Sequence, residues 1–133
     1  EGTLCFLALL CIIHQPSPPK LLLIEEPERG IHPRRIREVM NFIFRLAEEK
    51  DDVQIILTTH NEHVLNDFAT IPEAVFVFDK NEDGATEIQN LKRDIIDPSH
   101  EKSRELGIEE VDFTSNLGES WIYGLLGGVP AIP

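Results

Sequence analysis

The feature that most constrains this chain is a run of four apolar residues, 21–24 (LLLI), that ends abruptly in Glu25-Glu26-Pro27. A short continuous apolar segment, bounded by the turn-forming residues 15–19 on one side and by carboxylates on the other, reads as a central parallel strand buried on both faces. Pro27 cannot donate to a ladder and stops the element. Two adjacent carboxylates at the buried end of a strand are costly unless a cation or hydrogen bonds offset their repulsion, which favours a functional site. An ordinary acidic turn after a strand is the plain alternative, and the pair alone does not decide between them.

The strand sits in an alternating pattern. Residues 3–14 are apolar nearly all round and read as a helix buried on most sides. Their apolar run is about half the length a membrane span needs, so it suits a core helix. After the strand, Pro33 fits the first turn of a helix, and Ile36, Val39, Met40, Ile43, Leu46 and Ala47 recur at three- and four-residue spacing up to Lys50. Asp51 and Asp52 turn the chain into residues 53–57, a second buried strand that ends in Thr58-Thr59-His60. Asn61 can cap a short helix reaching Phe68. A third apolar run at 74–78, the polar Asn81-Glu82-Asp83-Gly84 and residues 86–91 read as a hairpin. Strand, helix, strand, helix, strand is the alternation of a parallel sheet covered by helices, so the fold class is α/β. Residues 92–120 are polar and acidic with little periodicity and read as irregular or as holding one short helix. Residues 121–126 regain apolar character before Gly127-Gly128.

Composition acts as a filter. A chain of 133 residues is one domain or a large piece of one. With 24 Asp and Glu against 12 Lys and Arg, a net charge of -12, the whole surface does not track nucleic-acid phosphates. The charge is segregated: acidic residues concentrate within 82–112, while Arg29, Arg34, Arg35 and Arg37 cluster just after the paired carboxylates and leave room for a local basic patch. Cys5 and Cys11 share one apolar segment and read as buried free thiols in a reducing compartment. Nothing ahead of that segment resembles the charged start of a signal peptide, so the expected location is cytoplasmic, with no membrane partner. Glu1 is not a plausible translation start and Met40 is the only methionine, so the expectation is that the sequence begins inside a longer chain.

In a parallel sheet, ligands bind beyond the carboxyl ends of the strands, where Glu25, Glu26 and His60 would converge. A carboxylate there can hold Mg²⁺ directly or through its water shell. A neighbouring carboxylate free of the metal can orient or deprotonate a water that attacks a terminal phosphate. Without the two glutamates, His60 reads as a capped histidine at a helix start. His60 and His63 offer only two metal ligands, so zinc is not expected. His32 reads as a packing or capping residue, and His14 and His100 carry no functional signal.

Residues 21–33 (LLLIEEPERGIHP) resemble the Walker B and D-loop segment of the OLD, RecF and SMC-like branch of ABC ATPases, often labelled AAA family ATPases. Residues 55–61 (IILTTHN) resemble the H-loop of the same family, Glu1-Gly2-Thr3-Leu4 the tail of its signature motif, and residues 121–130 (WIYGLLGGVP) its ending. Signature tail, Walker B and H-loop stand in the family's order, with a whole helix between the last two. The resemblance implies a partial P-loop NTPase fold: residues 1–91 as the C-terminal half of an ABC-type ATPase core, and 92–133 as an acidic segment and C-terminal tail of the same domain. It implies ATP and Mg²⁺ as cofactors. In that frame Glu25 takes the metal-side Walker B position, where Asp is commoner, Glu26 is the catalytic base, and His60 is the switch histidine that senses the γ-phosphate. Gly2 and Thr3 belong to the signature loop, which meets the nucleotide of a second subunit, so the implied assembly is a homodimer closed through ATP. Residues 28–31 would form the D-loop at that interface, where Arg29 reads as an ordinary exposed arginine.

A P-loop requires Gly-x-x-x-x-Gly-Lys-Ser/Thr, and no glycine in this sequence precedes a lysine. These residues alone are therefore expected to bind ATP weakly or not at all, with an N-terminal half or a partner supplying the main grip. Three readings remain open at this point. One is an ATPase head coupled to DNA repair, anti-phage defence or another nucleic-acid task. The second is a non-catalytic interaction module, a truncated head that docks on a partner. The third is the ATPase portion of an OLD-like nuclease.

Overall fold

The computed structural model describes residues 2–17, 19–49 and 52–129. Expectations that rest on Glu1, Lys50, Asp51 or Pro130, or on the side chains of Thr3 and Cys5, lie outside the described residues. The chain divides into two compact units, residues 1–64 and 65–133.

The first unit runs through α1 (Gly2–Ile13), β1 (Leu21–Glu25), α2 (Pro33–Glu49) and β2 (Gln54–Thr58) into the opening of α3 (Glu62–Asn66). The two strands pair in parallel, with Leu22 opposite Ile55 and Glu25 opposite Thr58, and α2 is the crossover that parallel neighbours require. α2 follows from its spacing: Pro33 occupies a first-turn position whose N–H would be unpaired anyway, and Ile36, Val39, Met40, Ile43 and Leu46 form its buried stripe. His32 caps it, with Nδ1 accepting the Arg34 N–H at 3.3 Å. Asn61 caps α3, its Oδ1 accepting the His63 N–H at 2.9 Å.

Burial in this unit corrects the reading of three segments, since β2, expected as a buried strand, has no buried residue. Within β1 only Leu22 is buried, while Leu21 and Leu23 are 49% and 72% exposed and Ile56 of β2 is 49% exposed. One face of the sheet is therefore open. α1 departs in the same way: Leu9 is buried, but Leu4, Leu7 and the free Cys11 are exposed. The physical reason is common to these segments, because no other described element of this unit covers that sheet face or the outer side of that helix. Residue types suited to burial on all sides find partners on one.

The second unit holds a hairpin of β3 (Phe76–Lys80) and β4 (Thr86–Asn90), paired antiparallel with Phe78 opposite Ile88. Asn81 builds the turn, its Oδ1 accepting the N–H groups of Asp83 and Ala85 at 3.1 and 2.9 Å. β3 thus does not extend the parallel sheet, contrary to the strand–helix alternation; the two sheets are separate. The turn gives β3 a partner immediately downstream.

The acidic segment, read as irregular or as holding one short helix, is largely helical. A π-helical stretch, Leu91–Ile96, runs into α4 (Asp97–Leu106), and α5 (Leu117–Ile122) follows. Periodicity misses α4 because Ser103 is its one buried residue. Hydrogen bonds set its approach instead: Asn90 Oδ1 accepts the Arg93 N–H at 3.0 Å and Asp94 Oδ2 accepts the Asn90 N–H at 2.7 Å, a reciprocal cap. Leu91, Ile96, Phe113, Leu117 and Leu126 form the core of this unit, with Leu65, Val75, Ile95 and Trp121 packed against it. Among the described residues, no helix is long and apolar enough to cross a membrane.

Candidate functional site

Parallel pairing places the carboxyl ends of β1 and β2 side by side. Hydrogen bonding continues one step past the strand, since the Glu26 N–H donates to Thr58 O at 2.9 Å. The chain then turns sharply: Pro27 is fully buried, the Arg29 N–H donates to Glu26 O at 2.9 Å, and the Ile31 N–H donates to Glu28 O at 3.0 Å. Among the described residues Glu26 is the one non-glycine with positive φ, at 43°. That conformation is disfavoured for a residue with a Cβ, and such strain tends to gather at functional positions.

The turn directs Glu26 away from the strand and toward the end of β2. Its Oε1 lies 3.9 Å from His60 Nε2, a contact within charge range but longer than a hydrogen bond. The His60 side chain is 83% exposed and that of Glu26 30%. Glu25, at the last position of β1 and opposite Thr58, is exposed. Arg29 is exposed as well. α1 begins at Gly2, and the Thr3 side chain lies outside the described residues.

Two further residues belong to this constellation, Glu28 of the expected D-loop and Thr59 of the expected H-loop, neither of them singled out individually in the sequence. The Thr59 hydroxyl donates to Glu28 Oε1 at 2.5 Å, and Thr59 Oγ1 accepts the Asn61 N–H at 3.0 Å. Glu28 Oε2 is buried without a hydrogen-bond partner among the described residues. The available signal was an acid two residues after Glu26 and a hydroxyl just before His60, 31 positions apart.

The described residues contain no cluster of three or more His, Cys, Asp or Glu able to cage a metal. Mg²⁺ does not need one, because it is commonly held by one or two carboxylates together with water and substrate phosphates. An exposed carboxylate such as Glu25 fits that mode. Three carboxylates of the second unit have clearly shifted acidity and serve structure. Asp94 is lowered to about 2, chiefly by its hydrogen bond with Arg93 and then by the Asn90 N–H. The Gly128 and then the Lys80 N–H hold Asp79 down, and Ser115 and Thr114 do the same for Asp112.

Residues 1–66 match the family described as "AAA domain, putative AbiEii toxin, Type IV TA system", and this part of the chain belongs to the ABC/AAA-type ATPase domains. Among individual relatives, the endonuclease GajA of Bacillus cereus is 31% identical over 108 residues, covering 73% of this chain and 16% of the relative. The uncharacterized ABC transporter ATP-binding protein YhcH of Bacillus subtilis is 28% identical over 87 residues, covering 65% of this chain and 26% of the relative. The energy-coupling factor transporter ATP-binding protein EcfA2 of Clostridioides difficile is 26% identical over 91 residues, covering 68% and 29%. The chain thus spans less than a third of each of these relatives. No solved structure matches it.

Proposed function

We propose that this chain supplies the hydrolytic edge of an ABC-type ATPase head. Glu26 orients the attacking water and takes its proton as the water oxygen bonds to the terminal phosphorus and the bond to the leaving phosphate breaks. His60 donates from Nε2 to an oxygen of the terminal phosphate. Glu25 is the carboxylate that would hold Mg²⁺, which when bound supplies positive charge against the phosphates. Gly2 and Thr3, at the start of α1, meet the terminal phosphate of a nucleotide bound by a second copy, where helix N-terminal N–H groups favour an anion.

The observation that carries this reading is the delivery of Glu26 and His60 to one place by adjacent parallel strands, at 3.9 Å, from a left-handed backbone. Kinship with ATP-binding proteins supports the nucleotide. The open sheet face of Leu21, Leu23 and Ile56 supports a further part of the ATPase domain, bearing the P-loop, packed against it. His60→Ala in the full-length ATPase is expected to slow ATP hydrolysis by about 10²-fold or more. A wild-type rate would reduce His60 to an exposed residue beside a helix cap.

Similarity to a protein named as an endonuclease favours a second reading, in which this segment belongs to the ATPase part of a nuclease acting on DNA. Cleavage of supercoiled plasmid by the full-length protein, regulated by ATP, is the expected result, and intact plasmid under all nucleotide conditions would remove that reading.

A further inference from the structure

We propose that Glu28 is a positioning residue for His60 and acts through Thr59; this inference rests on the ATPase reading of Glu26 and His60. The His60 ring is 83% exposed, so little side-chain packing can hold it. Its position must come from the backbone on either side, and both sides lead to Glu28. On one side Thr59 donates its hydroxyl proton to Glu28 Oε1 at 2.5 Å, the short distance of a charge-assisted O–H to carboxylate bond. With that proton committed, the Thr59 oxygen presents its lone pairs to the Asn61 N–H at 3.0 Å on the other side. Asn61 in turn caps α3 through the His63 N–H.

Glu28 is itself fixed two residues after Glu26, inside the turn closed by the Arg29 N–H to Glu26 O and the Ile31 N–H to Glu28 O bonds. It therefore ties the loop after β1 to the loop after β2, next to the point where Glu26 and His60 approach. The ladder bond from Glu26 N–H to Thr58 O is the backbone counterpart of the same tie. A tie needed only for stability could be made by a neutral residue. A carboxylate here leaves Oε2 buried without a partner among the described residues, an arrangement that carries a desolvation cost. What the charge contributes is a stronger bond to Thr59 and a fixed direction for its hydroxyl.

The test is a kinetic cycle in the full-length ATPase with Glu28→Ala, Thr59→Val and the double variant, beside Glu28→Gln and Thr59→Ser. Glu28→Ala and Thr59→Val are each expected to lower kcat about 10- to 100-fold, as for loss of one hydrogen bond to a charged group, with KM for ATP nearly unchanged. Because they break one chain of contacts, the double variant falls no further than the worse single variant. Thr59→Ser retains the rate, and Glu28→Gln, which keeps an acceptor and the fold, is intermediate. Wild-type kcat in Glu28→Ala and Thr59→Val, or losses that multiply, would overturn the proposal. Amide exchange at Asn61, measured in the 133-residue chain, separates the two levels of the argument. Faster exchange in Glu28→Ala is expected whatever Glu26 does, and unchanged exchange would overturn the link itself. Full turnover in Glu26→Gln would instead overturn the catalytic reading and with it the role of Glu28.

Discussion

Replacing Glu26 by glycine should separate the strain at this position from its chemistry. Its φ of 43° costs a residue with a Cβ about 1–2 kcal/mol. Glycine removes that cost but gives the unfolded chain more freedom, an offset of about 0.4–1 kcal/mol. The Glu26 carboxylate makes no hydrogen bond among the described residues, and its contact with the exposed His60 ring is 3.9 Å long, so losing it subtracts little. Glu26→Ala is the proper reference because it deletes the same carboxylate while keeping the Cβ. The expected result is that Glu26→Gly is about 0.5–1 kcal/mol more stable than Glu26→Ala. In urea denaturation followed by circular dichroism, this is a rise of a few tenths of a molar in midpoint for a slope of about 1–3 kcal/mol/M. Both variants should lack hydrolysis in the full-length ATPase. A Glu26→Gly midpoint at or below that of Glu26→Ala would refute the claim that the site holds its carboxylate on a strained backbone.

The second unit offers three more tests. Leu91 is fully buried in its core, so Leu91→Ala should cost about 2–5 kcal/mol, read from urea unfolding by the fluorescence of Trp121, which packs against the same core. Gly128 has φ of 70° and a Cβ built on it would lie 2.8 Å from Val77 Cγ1; Gly128→Ala should therefore cost at least about 1–2 kcal/mol and change Trp121 emission, since the Trp121 indole nitrogen is 3.5 Å from that Cβ. Asp94 has a folded pKa of about 2 against an ordinary 3.8. A depressed carboxylate contributes stability that is complete above its unfolded pKa and is lost as pH falls through the folded value. The melting temperature of the native chain should thus drop more than that of Asp94→Asn between pH 4 and pH 2 (on the order of the two pKa values), and parallel curves would contradict the Arg93 and Asn90 contacts as its cause.

What the sequence revealed was local. The three-four spacing of Ile36, Val39, Met40, Ile43 and Leu46 defines α2 because one stripe is buried, and Asn61 and Asn81 announce a cap and a turn because their side chains bond to nearby N–H groups. The apolar runs of α1 and β1 mark segments built for burial, but a residue type does not say which side is covered, and Leu4 and Leu23 are exposed. α4 was illegible for the opposite reason, since it buries only Ser103 and continues a π-helical stretch that opens at the Asn90–Asp94 cap. At the site, acids after one strand and a histidine after the next suggested an approach that the geometry now measures for Glu26 and His60. The left-handed turn at Glu26 leaves no mark in residue type, and the Thr59–Glu28 bond joins positions too distant in sequence for spacing to connect.

The proposed role of Glu26, activation of the water that attacks ATP, stands or falls with the hydrolysis rate of Glu26→Gln in the full-length ATPase. The amide keeps the shape and removes the base. Turnover should fall about 10²- to 10⁴-fold while ATP-dependent association persists, whereas hydrolysis at the wild-type rate would contradict the assignment.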